Sequence, residues 1–439
     1  MSRKLVKISM LTLCIAQLAA CGGSSSSGSL IAGTDTDTET ETETDTGDLS
    51  EWIVNTTERS TQIFESSSSL GVLQDVQSVS IESVDGSDYV YVQATGIPKY
   101  DITMTQDTVD ELNSRPRASS DFYSGSTTAT AGQLVEFGED IGYISSTDNC
   151  DSTGGAGYWP PGPVCPTDTA KQVYITKNPQ PNSGECDNGL GITGLLVNGT
   201  SVFGWGDGMS YNNQGVWYNL APVAEQYDVD FCGGHAANNE YHHHFYTSCL
   251  ADLVGDDGSA HSPLYGYAAD GYPIYGPYEG AGELAVSGWK TRDYGAPVSE
   301  GGCGTPGERS CVLIDEYDIS QGVDSTVSAG PDVDQSVTTM SGNPLLASDG
   351  YFYQDYYYAG IAASGSQLDQ YNGHDNSDGR GYHYHITLQD VSGKLTPSFP
   401  YTIGPRFYGE LPANAASSCD TGGGTMGPPP GAGGPPSFL

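Results

Sequence analysis

The sequence predicts a mainly β protein: a single large β-rich domain with long loops pinned by disulfides. Three observations carry that expectation. Glycine and tyrosine, at 59 and 29 residues, set a texture of tight turns and of aromatic side chains suited to pleated, half-buried surfaces. Alternating or β-branched segments recur, separated by turn pairs such as Asp85-Gly86 and Asn198-Gly199. Helical periodicity is confined to short stretches, Asp107 to Asn113 and Ala359 to Ala363.

In chain order, Met1-Ser2-Arg3-Lys4 with Lys7 forms a basic start, and Ile8 to Ala20 is an apolar run too brief for a permanent membrane span. Residues 1–20 therefore read as a signal peptide. Leu18-Ala19-Ala20-Cys21 is similar to a bacterial lipoprotein box, which implies lipidation of Cys21. Gly22 after that Cys does not favour retention at the inner membrane, so the expected address is the outer membrane or cell surface. Residues 21–50, Gly/Ser-rich and then a Thr-Asp/Thr-Glu ladder, have almost nothing to bury and read as a charged, extended tether. The Gly/Pro-rich stretch 413–439 reads as a tail. Between them lies the expected folded domain, 51–412.

Within it, Val76 to Val84 and Tyr89 to Ala94 flank Asp85-Gly86 as a hairpin, which Gly96-Ile97-Pro98 closes because proline cannot donate to a ladder. Residues 145–168 are loop. Strand character returns at Gln172 to Thr176, then at Leu195 to Val197 and Ser201 to Trp205 across the Asn198-Gly199 turn.

The formal charge of −40 argues against nucleic acid or an anionic membrane surface as a partner. Eight cysteines beyond Cys14 and Cys21, an even number in an exported chain, point to disulfides. Proximity suggests Cys150 with Cys165, Cys232 with Cys249 and Cys303 with Cys311, leaving Cys186 and Cys419.

The most informative pattern is histidine. Asn372-Gly373-His374 precedes Tyr382-His383-Tyr384-His385, and Gly234-His235 precedes Tyr241-His242-His243-His244 roughly 140 residues earlier. On a strand, alternate residues share a face, so His383 and His385 project together, as do His242 and His244. A third histidine from a Gly-preceded segment completes a ligand set. The candidate metal ligands are His235, His242 and His244, and His374, His383 and His385. His243 and His261 stand outside these sets.

The duplication extends to Ser262 through Tyr278 and to Ser398 through Tyr408, each with Pro, Ile and Gly-Pro among tyrosines. Motif copies near 234–278 and 373–408 thus suggest two halves, each a histidine strand followed by an aromatic Gly-Pro turn. A pseudo-twofold arrangement is one outcome. One shared site and two separate sites are both compatible with the spacing.

Neutral imidazoles suit copper and zinc, and the affinity order of divalent ions favours copper. Calcium is a lesser candidate at Asp256-Asp257-Gly258, which lacks the twelve-residue calcium-loop spacing. No Gly-x-Ser-x-Gly, His-Glu-x-x-His or phosphate-loop motif occurs.

Cys232-Gly233-Gly234-His235, Tyr241 to His244, Asp270-Gly271-Tyr272-Pro273-Ile274-Tyr275-Gly276-Pro277, Tyr382 to His385 and Phe399 to Gly404 together resemble the YHYH family of exported bacterial proteins. Tyr91 to Pro98 and Val197-Asn198-Gly199 extend the likeness over roughly residues 70 to 410. His243 is a departure, because the family usually has Tyr there. The resemblance implies no established reaction.

The leading expectation is a surface-tethered, metal-binding lipoprotein, copper favoured over zinc. One alternative is a zinc-dependent hydrolase, with Glu240, Asp375 or Asp378 as general base. The other is a non-catalytic adhesion or carbohydrate-binding module with structural histidines.

Overall fold

A computed structural model describes residues 49–65, 68–143, 166–361 and 367–419. Cys21, the signal and most of the tether and tail, and Cys150 and Cys165 lie outside them. The described chain is mainly β, with short helices on its connections.

The expected hairpin at Asp85-Gly86 forms as its turn chemistry requires. Strands β1 (Val76–Val84) and β2 (Ser87–Ala94) are joined by Asp85 and Gly86, both with positive φ (52° and 86°), the left-handed backbone of a two-residue hairpin turn. Strand β3 (Lys171–Thr176) pairs antiparallel with β2 and completes a three-stranded sheet. Helix α1 runs from Gln106 to Ser114, one residue beyond the expected stretch at each end, because the Thr105 side chain caps the Thr108 amide at 3.1 Å. The stretch from Ala359 runs into residues outside the described set; before it, Tyr356–Tyr358 is a strand paired with Trp289–Thr291.

The organising element is an eight-stranded mixed sheet. Its strands are β4 (Ile192–Leu196), β5 (Ser201–Phe203), β6 (Gly234–Ala237), β7 (Glu240–His243), β8 (Leu264–Ala268), β9 (Pro273–Tyr275), β10 (Gly373–His374) and β11 (His383–His385). Their spatial order is β6-β7-β5-β4-β8-β9-β11-β10. That order reads the same from either edge: a two-stranded Gly-His unit, a parallel contact, then a hairpin. Hairpins β4-β5 and β8-β9 meet antiparallel at the centre, where Leu195 opposes Tyr267, Gly194 opposes Ala268 and Leu196 opposes Gly266. Both hairpins carry an irregularity at the matching place, between Ile192 and Gly194 and between Leu264 and Gly266.

Glycine is required at that centre. A Cβ on Gly194 would meet the Tyr267 carbonyl oxygen at 2.7 Å, and one on Gly266 would meet the Leu195 carbonyl closer still. Each obstacle is backbone of the facing strand and cannot swing aside.

The repeat is therefore pseudo-twofold, but its boundary differs from the sequence reading. Each half is a hairpin followed by its histidine strands, not histidine strands followed by a Gly-Pro turn. The Leu264–Tyr275 hairpin, which follows the first motif in sequence, pairs through β9 with β11 of the second. Parallel neighbours need a long crossover, and in both halves the hairpin that packs against a histidine strand precedes it by many residues. The Ser398–Tyr408 segment runs outside this sheet, bonding to residues that flank its last two strands, at Thr387 N–Tyr401 O (2.9 Å) and Gly404 N–Tyr371 O (2.8 Å).

Among the described residues three disulfides hold the loops: Cys186–Cys419, Cys232–Cys249 and Cys303–Cys311. The second closes a 17-residue separation that contains the whole first motif and ties it to helix α2 (Ser248–Val254).

Candidate metal centres

Local structure sets each histidine. Before β6, the Asp230 carboxylate accepts the Cys232 and Gly234 amides (2.8 and 3.1 Å), and Gly233 takes φ 75°. Before β10, Asp369 accepts the Tyr371 and Gly373 amides (2.9 and 3.2 Å), and Asn372 takes φ 69°. These carboxylate-closed turns aim His235 and His374 across to the neighbouring strand, where they pair with His242 and His383. The first tyrosine of each motif fastens the turn: Tyr241 donates to Asp230 at 2.7 Å and Tyr382 to Asp369 at 3.1 Å. Burial pushes both carboxyls up to about 6, and these hydroxyl and amide donors limit the rise.

The expected ligands come together in two separate places. β7 and β11 have four strands between them, about 24 Å at the usual ~4.8 Å strand spacing, so no single site spans both motifs. In the first centre His235, His242 and His244, all buried, bring one donor atom each within 4.8 Å of the others. In the second, His385 belongs to two such groups, one with His374 and Glu279, the other with His261 and His383.

The imidazoles present the same nitrogen inward. His242 Nδ1 donates to Glu240 O (2.9 Å) and His244 Nδ1 to Gly204 O (2.6 Å); His383 Nδ1 donates to Gly381 O (2.8 Å) and His385 Nδ1 to Gly276 O (2.7 Å). With Nδ1 protonated in a neutral ring, Nε2 is a bare acceptor. His242 Nε2 and His244 Nε2 nevertheless face each other at 3.1 Å. Two lone pairs so placed repel unless a proton or a metal ion lies between them, and 3.1 Å suits adjacent ligands each about 2.0–2.1 Å from one ion. In the second centre the Nε2 atoms of His261, His374, His383 and His385 are all buried without a hydrogen-bond partner. Buried polar atoms are ordinarily paired, so such a cluster of orphaned acceptors fits a cation.

Each centre also holds a carboxylate that sequence spacing missed. Glu225 Oε2 lies 3.2 Å from both His235 Nε2 and His244 Nε2, and Glu279 Oε1 lies 3.1 Å from His374 Nε2 and 3.3 Å from His385 Nε2. Neither is near its histidines in sequence. The detectable signal is the hairpin repeat: Gly204 and Gly276, the carbonyl partners of His244 and His385, precede the two glutamates in equivalent places, with an insertion before Glu225. His261, set apart as spare in the sequence, is also drawn in, whereas His243 is not.

The acids expected to serve as general base have other partners. Glu240 pairs with Lys171 and Ser201; Asp378 pairs with Arg380; Asp375 accepts the Ser377 amide at 2.9 Å. Asp256 is occupied by Ser262, Tyr265 and the Gly258 amide.

Electrostatics keep most of these rings neutral. Burial lowers His242 and His385 well below the usual imidazole range and brings His383 to about 4; the neighbouring histidines add to it. Burial also lowers His261 and His374. His235 goes the other way: burial opposes its charge, but the Glu225 carboxylate overrides that and raises it. Burial would raise Glu225 in turn, yet His235 and His244 hold it below the usual carboxylate range. Glu279, with burial dominant, rises to about 6.

A family model described as YHYH protein matches residues 172–396. The chain belongs to the YHYH family. The match covers the whole eight-stranded sheet, both motifs and both glutamates, so the YHYH strand is here one element of a duplicated donor-presenting unit. No curated protein and no solved structure matches the chain. The disulfides of this YHYH protein fit an exported protein, and among the described residues no helix is long and apolar enough to cross a membrane.

Proposed function

We propose that this YHYH protein is an exported, metal-binding lipoprotein, anchored through Cys21, with two centres of three motif histidines and one glutamate each. The observation that carries the reading is the pair of bare Nε2 atoms of His242 and His244 at 3.1 Å, matched in the other half by buried, unpartnered Nε2 atoms on His374, His383 and His385. Imidazole with one carboxylate suits divalent copper and zinc, and on affinity copper ranks above zinc. Bound there, copper would supply redox chemistry and zinc a polarised water. The chain's own residues fix the tautomers of His242, His244, His383 and His385 through backbone carbonyls, exclude bulk water by burial and carry one negative charge to each centre.

A zinc-dependent hydrolase is the second reading, favoured by Glu225 and Glu279 beside the histidines, since hydrolysis needs a carboxylate base. Elemental analysis of tag-free protein tests both. We expect about two copper or zinc atoms per chain and about one in a variant with His383 and His385 both changed to Ala. Protein that neither contains nor takes up copper or zinc on titration would refute both readings and leave a binding module with structural histidines.

A further inference from the structure

The two centres are not copies. Ile192 opposes Phe203 as Leu264 opposes Tyr275, so the residues three before them, Gly189 and His261, are equivalent. The first half thus has glycine where the second has a fourth imidazole. His261 is half-buried, its Nδ1 donates to Ser262 O at 2.8 Å, and its Nε2 is buried without a partner. Its ring lies 5.3 Å from that of His385 and 5.8 Å from that of His383, centroid to centroid.

His385 is common to both donor groups of this centre. Its Nδ1 is committed to Gly276 O, so it has one lone pair, on Nε2, and can hold one ion at a time. The groups differ in chemistry. Glu279, His374 and His385 offer an anionic oxygen with two nitrogens; His261, His383 and His385 offer three neutral nitrogens. A hard, doubly charged ion gains more from the carboxylate, and the softer monovalent copper ion is satisfied by imidazoles alone.

Resting on the metal-binding reading, we propose that the second centre is a two-position site pivoted on His385: divalent ions sit toward His374 and Glu279, monovalent copper toward His261 and His383. The first centre, with glycine at the equivalent place, has one position only.

The test uses the full chain carrying His235→Asn to weaken the first centre, with Zn(II) alone, or Cu(I) alone under anaerobic ascorbate, titrated against a chromophoric competitor. H261A is expected to weaken Cu(I) at least tenfold and leave Zn(II) within about threefold; E279Q is expected to do the reverse. His261→Gln repeats the first arm with a side chain of similar size, and circular dichroism checks that each variant folds. Equal effects of both variants on both ions would overturn the proposal in favour of one five-donor site, as would no effect of either. A parent chain that binds neither ion would instead refute the metal-binding reading itself.

Discussion

The Tyr100 hydroxyl lies 2.9 Å from His243 Nε2, in the place that the Tyr384 hydroxyl reaches unaided in the other half. Tyr384 donates directly to Asp270 at 2.6 Å, at the turn of the β8-β9 hairpin. His243 is too short to reach Asn198, the equivalent turn residue, and Tyr100 bridges the gap: Asn198 donates to its hydroxyl at 3.2 Å. The departure from tyrosine, which the other half keeps as Tyr384, is thus compensated from a distant segment. Tyr100→Phe leaves His243 and Asn198 short of a partner in a buried site, and a loss of about 1–3 kcal/mol is expected in denaturant unfolding. H243Y combined with Y100F should recover part of that loss; no recovery would refute the equivalence.

The central glycines set a second expectation. Gly266→Ala drives a Cβ into the Leu195 carbonyl, and Gly194→Ala drives one into that of Tyr267. Each should separate β4 from β8 and cost several kcal/mol, well above the ~1 kcal/mol typical of a point substitution. Thermal unfolding measures this, with Gly282→Ala as an open-space control whose cost is backbone strain alone (φ 71°).

Metal removal should loosen the protein. If an ion occupies each centre, dialysis against a chelator returns bare nitrogens to face each other, and the melting temperature should fall and recover on adding copper or zinc. H385A should abolish part of that shift. A melting curve indifferent to chelator and metal would count against occupied centres.

Acid should destabilise the metal-free protein through the buried rings. Burial depresses His243 to about 3 and His383 to about 4, below the 6.5 of a free imidazole. The unfolded chain then binds more protons, so stability present above pH 6.5 is lost as pH falls toward 4. Asp75 has the opposite sign: burial raises its carboxyl to about 7, so its contribution is full below 3.8 and lost as pH rises through 7. H243Y should therefore gain on the parent chain as pH falls from 6.5, and D75N should gain as pH rises from 4. Stability curves for the two variants parallel to that of the parent would contradict these assignments.

The Cys232–Cys249 disulfide brackets the first motif, and the second has no counterpart, with Tyr371 in the place of Cys232. Replacing both cysteines by serine should cost about 3 kcal/mol, the loop-closure value for a loop near this length. It should weaken metal at the first centre more than at the second, measurable as the loss of one class of sites.

How much of this was legible beforehand follows from range. The β class, the Asp85-Gly86 hairpin, the inward-facing His-x-His pairs and the Cys232–Cys249 and Cys303–Cys311 bridges depend on neighbours in sequence, where period-two alternation, turn chemistry and short loops dictate the outcome. The repeat was visible as composition, but its boundary was misplaced because parallel pairing of β9 with β11 is a non-local contact. Separation of the motifs into two centres was decided by the central β4-β8 pairing, which places four strands between them. Glu225, Glu279 and His261 reach the centres only through packing, and a glutamate's charge or a histidine's ring carries no mark of its distant partners. Short-range periodicity thus determined which atoms this chain could offer to a metal; tertiary structure alone decided which of them meet, because convergence across a sheet depends on register and not on spacing.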